Sequence, residues 1–258
     1  MSNYTSHYDD PVFFEKYAQM GRSQHGLSAA GEWPTLQAML PDFSGKRVLD
    51  MGCGYGWHCE YAAQHGASHV LGIDLSERML AEARANHAHP NIEYRCAAIE
   101  DIALPDSCVD VIISSLALHY VEDFSAVARN AARMLVPGGV FIFSVEHPIF
   151  TAEGAQDWIY APDGSISHFP VDNYFYEGAR KAVFLSETIR KYHRTLTTYI
   201  GDLLRAGFII TDVREPQPPA HLLDLPGMRD EFRRPMMLIL AAAVPPAALA
   251  SRSYPTEY

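Results

Sequence analysis

The sequence predicts an α/β fold with a doubly wound, mostly parallel sheet of seven strands. Short apolar runs alternate with helix-length segments from residue 47 to residue 145, and this alternation is typical of βαβ units. Two more strand-like runs follow a helix-like segment near the C-terminus. The 258 residues are 48% apolar and 20% charged, a balance that supports a sizeable buried core and excludes a wholly disordered chain.

The order of elements in this core follows from apolar runs and from residues that begin or end helices. Ser76 is well placed to start a helix, because its hydroxyl can accept a free amide of the first turn. Gly66 and Pro137-Gly138-Gly139 stand where two helices are expected to end. The predicted strands are residues 47–51, 67–73, 92–97, 109–114, 140–145, 208–213 and 236–244. The predicted helices of the core are residues 57–65, 76–86, 124–135 and 197–205.

Two segments outside the core stand out. The N-terminal stretch holds two predicted helices, residues 11–20 and 33–40, and should form a helical cover. A later stretch rich in aromatic residues, prolines and glycines interrupts the strand–helix rhythm, and it contains strand-like runs at 180–185 and 188–195. The predicted divisions are the cover, 1–44; the first part of the core, 45–145; the insertion, 146–195, expected to form a lid; the rest of the core, 196–250; and a loose tail, 251–258.

The aromatic residues of the insertion allow three interpretations. They could line a pocket for a largely apolar or planar ligand, form the insertion's own core, or make a dimer contact. A sequence cannot choose between these uses. The residues concerned are Phe150, Trp158, Tyr160, Phe169, Tyr174, Phe175, Tyr176, Phe184 and Tyr192.

Charge and cysteine content narrow the classes of partner. The formal charge of −11 disfavours nucleic acids and anionic membrane surfaces, which are bound through Lys and Arg. The N-terminus has no signal-peptide pattern, and no apolar run is long enough to span a bilayer. We therefore expect a cytoplasmic protein, monomeric or homodimeric, with reduced thiols and no metal site. Its cysteines are Cys53, Cys59, Cys96 and Cys108.

The clearest motif is a glycine loop, VLDMGCGYG at residues 48–56. A buried strand followed by a glycine turn and a helix is suited to a nucleotide-type ligand. A dinucleotide site has a third glycine or small residue where this chain has Trp57. Here the glycines follow a G-x-G-x-G pattern with Asp50 two residues earlier, which favours a cation over a pyrophosphate. Asp74 ends the next strand, where its carboxylate can accept both hydroxyls of a ribose.

Residues 46–145 resemble the class I S-adenosylmethionine-dependent methyltransferases that act on small molecules. The resemblance is carried by VLDMGCGYG, GIDLS, SERML, the stretch AAIEDIALPDSCVDVIISSLALHYVED, and RMLVPGGVFIFS. It implies a Rossmann-like sheet with one reversed edge strand, S-adenosylmethionine as cofactor, and transfer of a methyl group to O, N or C of a small molecule by in-line displacement.

The resemblance also implies roles for individual residues. Asp74 would hold the ribose, with Leu75 and Met79 beside the adenine. The residues expected around the methionine and sulfonium end are Asp50, Gly52, Cys53, Gly54 and Gly56.

One position departs from the family pattern. The family usually places an acid after the third strand, against the adenine amino group, but Ala98 stands there. The backbone N–H of Ile99 could still contact the ring, and Glu100 or Asp101 would have to replace the missing carboxylate.

Two further regions are expected beside the cofactor. Ser114 and Ser115 end the fourth strand near the methyl group. In the N-terminal stretch, Tyr17 and Arg22 are expected to close over the cofactor, with Arg22 pairing with its carboxylate. A plain strand end for the serines and a solvated surface charge for Arg22 are the competing interpretations.

Two histidines are candidates for a general base. His119 follows the fourth strand and His147 the fifth, at the sheet edge where ligands bind in such folds. A histidine with an ordinary pKa near 6.5 can take up a proton at neutral pH. Structural packing is the alternative for both. Methyl transfer from a sulfonium needs neither a nucleophilic triad nor a metal, and a base helps only when the acceptor must lose a proton.

Other functions remain open at this stage. An NAD-dependent oxidoreductase would require the third glycine that Trp57 replaces. A non-catalytic domain that binds the cofactor as a sensor is the other alternative, and Ala98 favours it slightly. The strand-four sequence Ser114-Ser115-Leu116-Ala117 lacks the Asn-Pro-Pro-Tyr-like motif common in enzymes that methylate bases or glutamine, which argues further against a nucleic-acid acceptor.

Overall fold

The computed structural model describes residues 6–247, and the predicted tail 251–258 lies outside them. The strands of the first part of the sheet are β1 (Arg47–Met51), β2 (His69–Asp74), β3 (Ile92–Cys96), β4 (Val109–Ser115) and β5 (Leu135–Glu146). The insertion carries β6 (Ile159–Tyr160), β7 (Ile166–His168), β8 (Gly178–Phe184) and β9 (Glu187–His193). The last two strands are β10 (Ile209–Arg214) and β11 (Met237–Ala243).

Seven of these strands form one sheet in the order β10-β11-β5-β4-β1-β2-β3. Neighbouring strands from β5 to β3 pair in parallel, whereas β11 pairs antiparallel with both β5 and β10. The seven-stranded, mostly parallel sheet is therefore confirmed.

The expectation of a reversed strand at the edge was wrong, because the reversed strand is β11, between β5 and β10. The reason lies in the two sequences. Residues 238–242 of β11 are buried, as suits a strand covered on both faces. In contrast, β10 is largely exposed and can tolerate an edge.

Helices cover both faces of the sheet, as a doubly wound fold requires. On one face, α6 and α8 pack against β1, β4, β5 and β11 through side chains such as Phe124, Phe143 and Tyr199. On the other, α3 and α4 pack against the same sheet through Trp33 and Cys59. The helices are α1 (Pro11–Ala18), α2 (Gly21–His25), α3 (Trp33–Met39), α4 (Trp57–Gln64), α5 (Glu77–Asn86), α6 (Phe124–Met134), α7 (Pro148–Ala152) and α8 (Leu196–Arg205).

Side-chain caps fix where several helices begin. Ser76 accepts the amide of Met79 at the start of α5, as predicted. Asp10 accepts the amides of Val12 and Phe13 at the start of α1. The short helices α2 and α7 had no counterpart in the prediction, because five residues are too few to show a helical period.

The insertion contains two antiparallel hairpins, β6–β7 and β8–β9. Three of its rings surround the guanidinium of Arg234, which lies 4.5, 4.7 and 4.5 Å from the ring centroids of Phe150, Trp158 and Phe169. Phe175 is instead 87% exposed. The rings of the insertion therefore serve more than one purpose.

Residues 6–247 lack two features that would suggest other functions. None of the helices there has the length and apolar character needed to cross a membrane. The same residues hold no cluster of three or more His, Cys, Asp or Glu side chains suited to a metal ion.

Gly56 is a test of the fold at the glycine loop. It has a φ of +85°, and a Cβ added there would lie 2.3 Å from the Tyr94 hydroxyl. Gly56→Ala should therefore lower the free energy of unfolding by about 2–4 kcal/mol, from left-handed strain and overpacking together. Gly45→Ala is the matched control, since Gly45 has a φ of +70° and open space around it; it should cost only about 1–2 kcal/mol. Equal losses in urea denaturation would contradict the steric part of this argument.

Candidate functional site

A cavity of about 1150 Å³ lies at the carboxyl edge of the parallel strands. Its walls come from the loops after β1, β2, β3 and β4, the N-terminal cover, the β8–β9 hairpin and the segment around residues 222–228. Ligands of doubly wound sheets bind at this edge. The predicted site residues that line it are Tyr17, Arg22, Gly52, Cys53, Gly54, Asp74, Leu75, Met79, Ala98, Ile99, Ser115 and His119.

The glycine loop is held against the end of β2. The amides of Gly52 and Cys53 both donate to the carbonyl of Ile73, at 2.8 and 2.9 Å. All three loop glycines have positive φ, which explains the residue type. A Cβ on Gly54 would meet nothing within 4 Å, so the backbone at Gly54 leaves room for close approach by a ligand.

Asp74 joins two loops through one carboxylate. Its Oδ2 accepts the amide of Gly54 at 2.9 Å, and its Oδ1 accepts the amide of Ser76 at 2.9 Å. Burial raises the pKa of this carboxyl, and the two amides oppose that rise. A carboxylate has about four acceptor positions, so Asp74 keeps capacity for donors in the cavity.

Asp50, Gly56 and Ser114 lie behind the cavity wall instead of lining it. The Asp50 carboxylate accepts the Cys59 thiol at Oδ2 (3.3 Å), while Oδ1 is buried with no hydrogen-bond partner among the described residues. Burial raises the pKa of Asp50 to about 7. The Ser114 hydroxyl donates to the carbonyl of Met51 at 2.7 Å. The Ser114 hydroxyl therefore fixes the end of β1 just before the glycine loop, and the Asp50 carboxylate contacts α4 through Cys59.

The side of the cavity beyond β3 is mostly apolar. Ala98 is buried and Ile99 packs against the main core. Ala98 carries no side-chain acceptor for an amino group. Glu100 lines the cavity, and burial raises its pKa. Of the two acids that could replace the missing carboxylate, Glu100 and Asp101, Glu100 is therefore the one in the cavity lining.

The N-terminal cover brings a cluster of tyrosines to the cavity. The ring of Tyr17 meets Tyr8 and Tyr55 edge-on at centroid distances of 5.0 and 5.7 Å. The hydroxyl of Tyr8 lies 3.4 Å from that of Tyr120. These rings line the cavity on the side of the cover.

Arg22 is paired inside the protein and is not a solvated surface charge. Its Nη2 donates to Oε1 of Glu32 at 3.0 Å, and the Glu32 side chain is 2% exposed. The hydroxyl of Ser115 donates to the same oxygen at 3.4 Å. Sequence reasoning missed Glu32, because an isolated acid between two short helices has no distinctive pattern.

The two candidate histidines have different surroundings. His119 lines the cavity, its Nδ1 accepts the amide of Glu146 at 3.5 Å, and burial lowers its pKa to about 4 instead of leaving it near 6.5. His147 does not line the cavity. Its Nδ1 accepts the amide of Ile149 as the N-cap of α7, and its Nε2 lies 2.9 Å from Glu215.

A buried ion pair attaches the β8–β9 hairpin to the sheet at the cavity. Lys191 Nζ lies 2.5 Å from Glu146 Oε1 and 3.1 Å from Gln156 Oε1. Although burial opposes ionisation, His119 and Lys191 lower the pKa of Glu146. No sequence pattern indicates this pair, because its members are 45 residues apart in the chain.

Comparisons with known proteins agree with this geometry. Residues 49–143 match the family model of the methyltransferase domain. The crystal structure of an S-adenosylmethionine-dependent methyltransferase from Listeria monocytogenes is 55% identical to this chain, with a TM-score of 0.81. The matched region covers 85% of this chain and 99% of the Listeria chain. An S-adenosylmethionine-dependent methyltransferase from Mesorhizobium loti is 44% identical with a TM-score of 0.79, covering 84% and 100%.

A curated relative has a more specific name. The ubiquinone biosynthesis O-methyltransferase of Neisseria meningitidis is 37% identical over 129 residues, which is 45% of this chain. The chain spans about half the length of that relative, 54%. That likeness is confined to part of each protein.

The chain therefore belongs to the class I S-adenosylmethionine-dependent methyltransferases, and it is an enzyme whose cofactor is S-adenosylmethionine. The Rossmann-like fold expected from the resemblance is confirmed. An NAD-dependent oxidoreductase and a non-catalytic sensor, the two alternatives from the sequence, are set aside by this membership.

The raised pKa of Asp50 predicts how stability changes with pH. Since the folded-state pKa of about 7 lies above the ordinary 3.8, wild-type stability falls as pH rises between these values and levels off above 7. Asp50→Asn removes that dependence. Its unfolding free energy relative to wild type should rise by about 2 kcal/mol between pH 5 and pH 8, measured by urea denaturation. A difference that stays constant with pH would show that Asp50 ionises normally.

Proposed function

We propose that this enzyme transfers the methyl group of S-adenosylmethionine to a small-molecule acceptor by in-line displacement. The observation that supports this most is a single cavity that joins the glycine loop and Asp74 to an aromatic side holding His119. Its volume exceeds the roughly 300–1,000 Å³ typical of a pocket for one drug-sized ligand, so cofactor and acceptor have room together. The net charge of −11 favours a small molecule over nucleic acid.

The described residues fit the cofactor. The open space at Gly54 admits an adenosyl ligand close to the backbone, and the carboxylate of Asp74 is placed to accept ribose hydroxyls. Leu75, Met79 and Ile99 provide an apolar wall for the adenine. When bound, S-adenosylmethionine supplies an activated methyl group on a positively charged sulfur.

The remaining task of the protein is alignment and exclusion of water. The tyrosine cluster lines one side of the cavity, and the Lys191–Glu146 pair attaches the β8–β9 hairpin at another. Buried side chains on rigid elements are suited to holding an acceptor in line with the methyl group. The name of the Neisseria relative supports oxygen as the accepting atom.

We propose that His119 contacts the methyl acceptor, either as a hydrogen-bond donor or as a base. Because Nδ1 accepts the amide of Glu146, the neutral ring in this arrangement carries its proton on Nε2. That tautomer donates to the acceptor atom and orients it, whereas action as a base requires the proton to move to Nδ1. Because its pKa is lowered, the His119 ring is neutral at physiological pH whichever ring nitrogen carries the proton. His147, as a helix cap outside the cavity lining, has no comparable position.

Asp74→Ala tests the proposed ribose site. Loss of charge-assisted hydrogen bonds should weaken S-adenosylmethionine binding by about 1.5–3 kcal/mol, measured by calorimetry. Asp212→Ala, a change to a half-exposed acid that pairs with Arg214 on the edge strand β10, is the control and should leave binding unchanged. Unaltered affinity in Asp74→Ala would remove Asp74 from the ribose site.

Two substitutions at His119 distinguish its possible roles. If His119 is a base, both His119→Ala and His119→Gln should lower kcat about 100-fold or more. If it orients the acceptor by donation, His119→Gln should retain much of the wild-type rate. Cofactor affinity should change little in either variant. Normal turnover in His119→Ala would make the residue structural.

The acceptor can be found by incubating the enzyme and isotopically labelled S-adenosylmethionine with a metabolite extract and searching for labelled products by mass. A labelled small molecule is the expected result. Label found only in protein or nucleic acid added in parallel would contradict the proposed acceptor class.

A further inference from the structure

The Arg22–Glu32 pair contains an incomplete carboxylate. Oxygen Oε1 of Glu32 has two donors, Arg22 and Ser115, whereas Oε2 is buried and has no hydrogen-bond partner among the described residues. A buried charged oxygen without a donor is costly, and such atoms in native proteins usually have a partner. The free oxygen of Glu32 therefore indicates a donor supplied by a ligand.

The position of the pair shows which part of a ligand it would meet. Ser115 ends β4, and β4 lies beside β1, which leads into the glycine loop at Gly52. Arg22, Glu32 and Ser115 all line the same cavity as that loop. In the cofactor placement proposed above, on which this step rests, the amino-acid end of the cofactor lies at this point.

That end of the cofactor is a zwitterion with an α-ammonium group and an α-carboxylate. An ammonium has three N–H donors, which suits a carboxylate oxygen that lacks one, and a guanidinium has five donors. We propose that Glu32 binds the α-ammonium group, beside the α-carboxylate that the family resemblance assigns to Arg22. The pair then selects adenosyl ligands that carry an intact amino-acid end.

The competing interpretation is a purely structural ion pair that attaches the N-terminal cover to β4. That interpretation explains the bonds to Arg22 and Ser115. It leaves the second oxygen unexplained, because a buried ion pair is stable only when its remaining acceptors are also satisfied. The two interpretations differ in what happens when the ligand lacks its amino group.

The test is calorimetry with S-adenosylhomocysteine and with its analogue lacking the α-amino group. Wild-type enzyme should bind the complete ligand at least about tenfold more tightly than the deamino analogue. Glu32→Gln should weaken binding of S-adenosylhomocysteine about 10- to 100-fold. The same substitution should change affinity for the deamino analogue by less than about threefold.

The controls separate this proposal from the placement of the cofactor. Glu93→Gln changes another arginine-paired glutamate, exposed on β3, and should affect neither ligand. Binding of S-adenosylhomocysteine by wild type tests the cofactor site itself. Equal losses for both ligands in Glu32→Gln, or no preference by wild type, would overturn the role of Glu32. The wild-type comparison decides the question even if the variant does not fold.

Discussion

The attachment of the glycine loop to the end of β2 is the constraint on which the site depends. Three consecutive amides, from Gly52 to Gly54, donate to the carbonyl of Ile73 or to the carboxylate of Asp74. The same carboxylate accepts the amide of Ser76. The Asp74 side chain therefore sets the positions of the loop after β1 and of the first turn of α5. As a result, the cavity wall is attached directly to elements of the core.

Much of the fold could be predicted because its signals are local. The strand at 47–51 and the cap at Ser76 follow from apolar runs and a single hydroxyl, and the structure reproduces both. The place of β11 in the sheet could not be derived this way. Strand order depends on contacts between distant segments, and the apolar character of β11 shows only that it is buried, not which neighbours bury it.

The residues of the candidate site also differ in whether their signals are local. Gly54 and Asp74 could be found because they belong to one contiguous strand–turn–helix pattern. Glu32 and the Lys191–Glu146 pair could not, since each acquires its meaning from a partner brought close by the fold. For Asp50 the sequence indicated proximity to the glycine loop but not burial behind the cavity wall. In the structure its carboxylate lies against Cys59 and does not line the cavity.

The charge of −11 on the whole chain does not describe the interior of the cavity. Of the acids that line the cavity, Glu32 pairs with Arg22 and Glu146 with Lys191, whereas the carboxylate of Asp74 accepts two backbone amides. Asp50, beneath the loop, has a pKa of about 7 and is only partly ionised at neutral pH. Attraction for a cationic sulfur therefore depends on the groups that face it and not on the net charge of the chain. A bound positive charge would favour ionisation of a nearby buried carboxyl, because an opposite charge lowers the pKa of a buried acid.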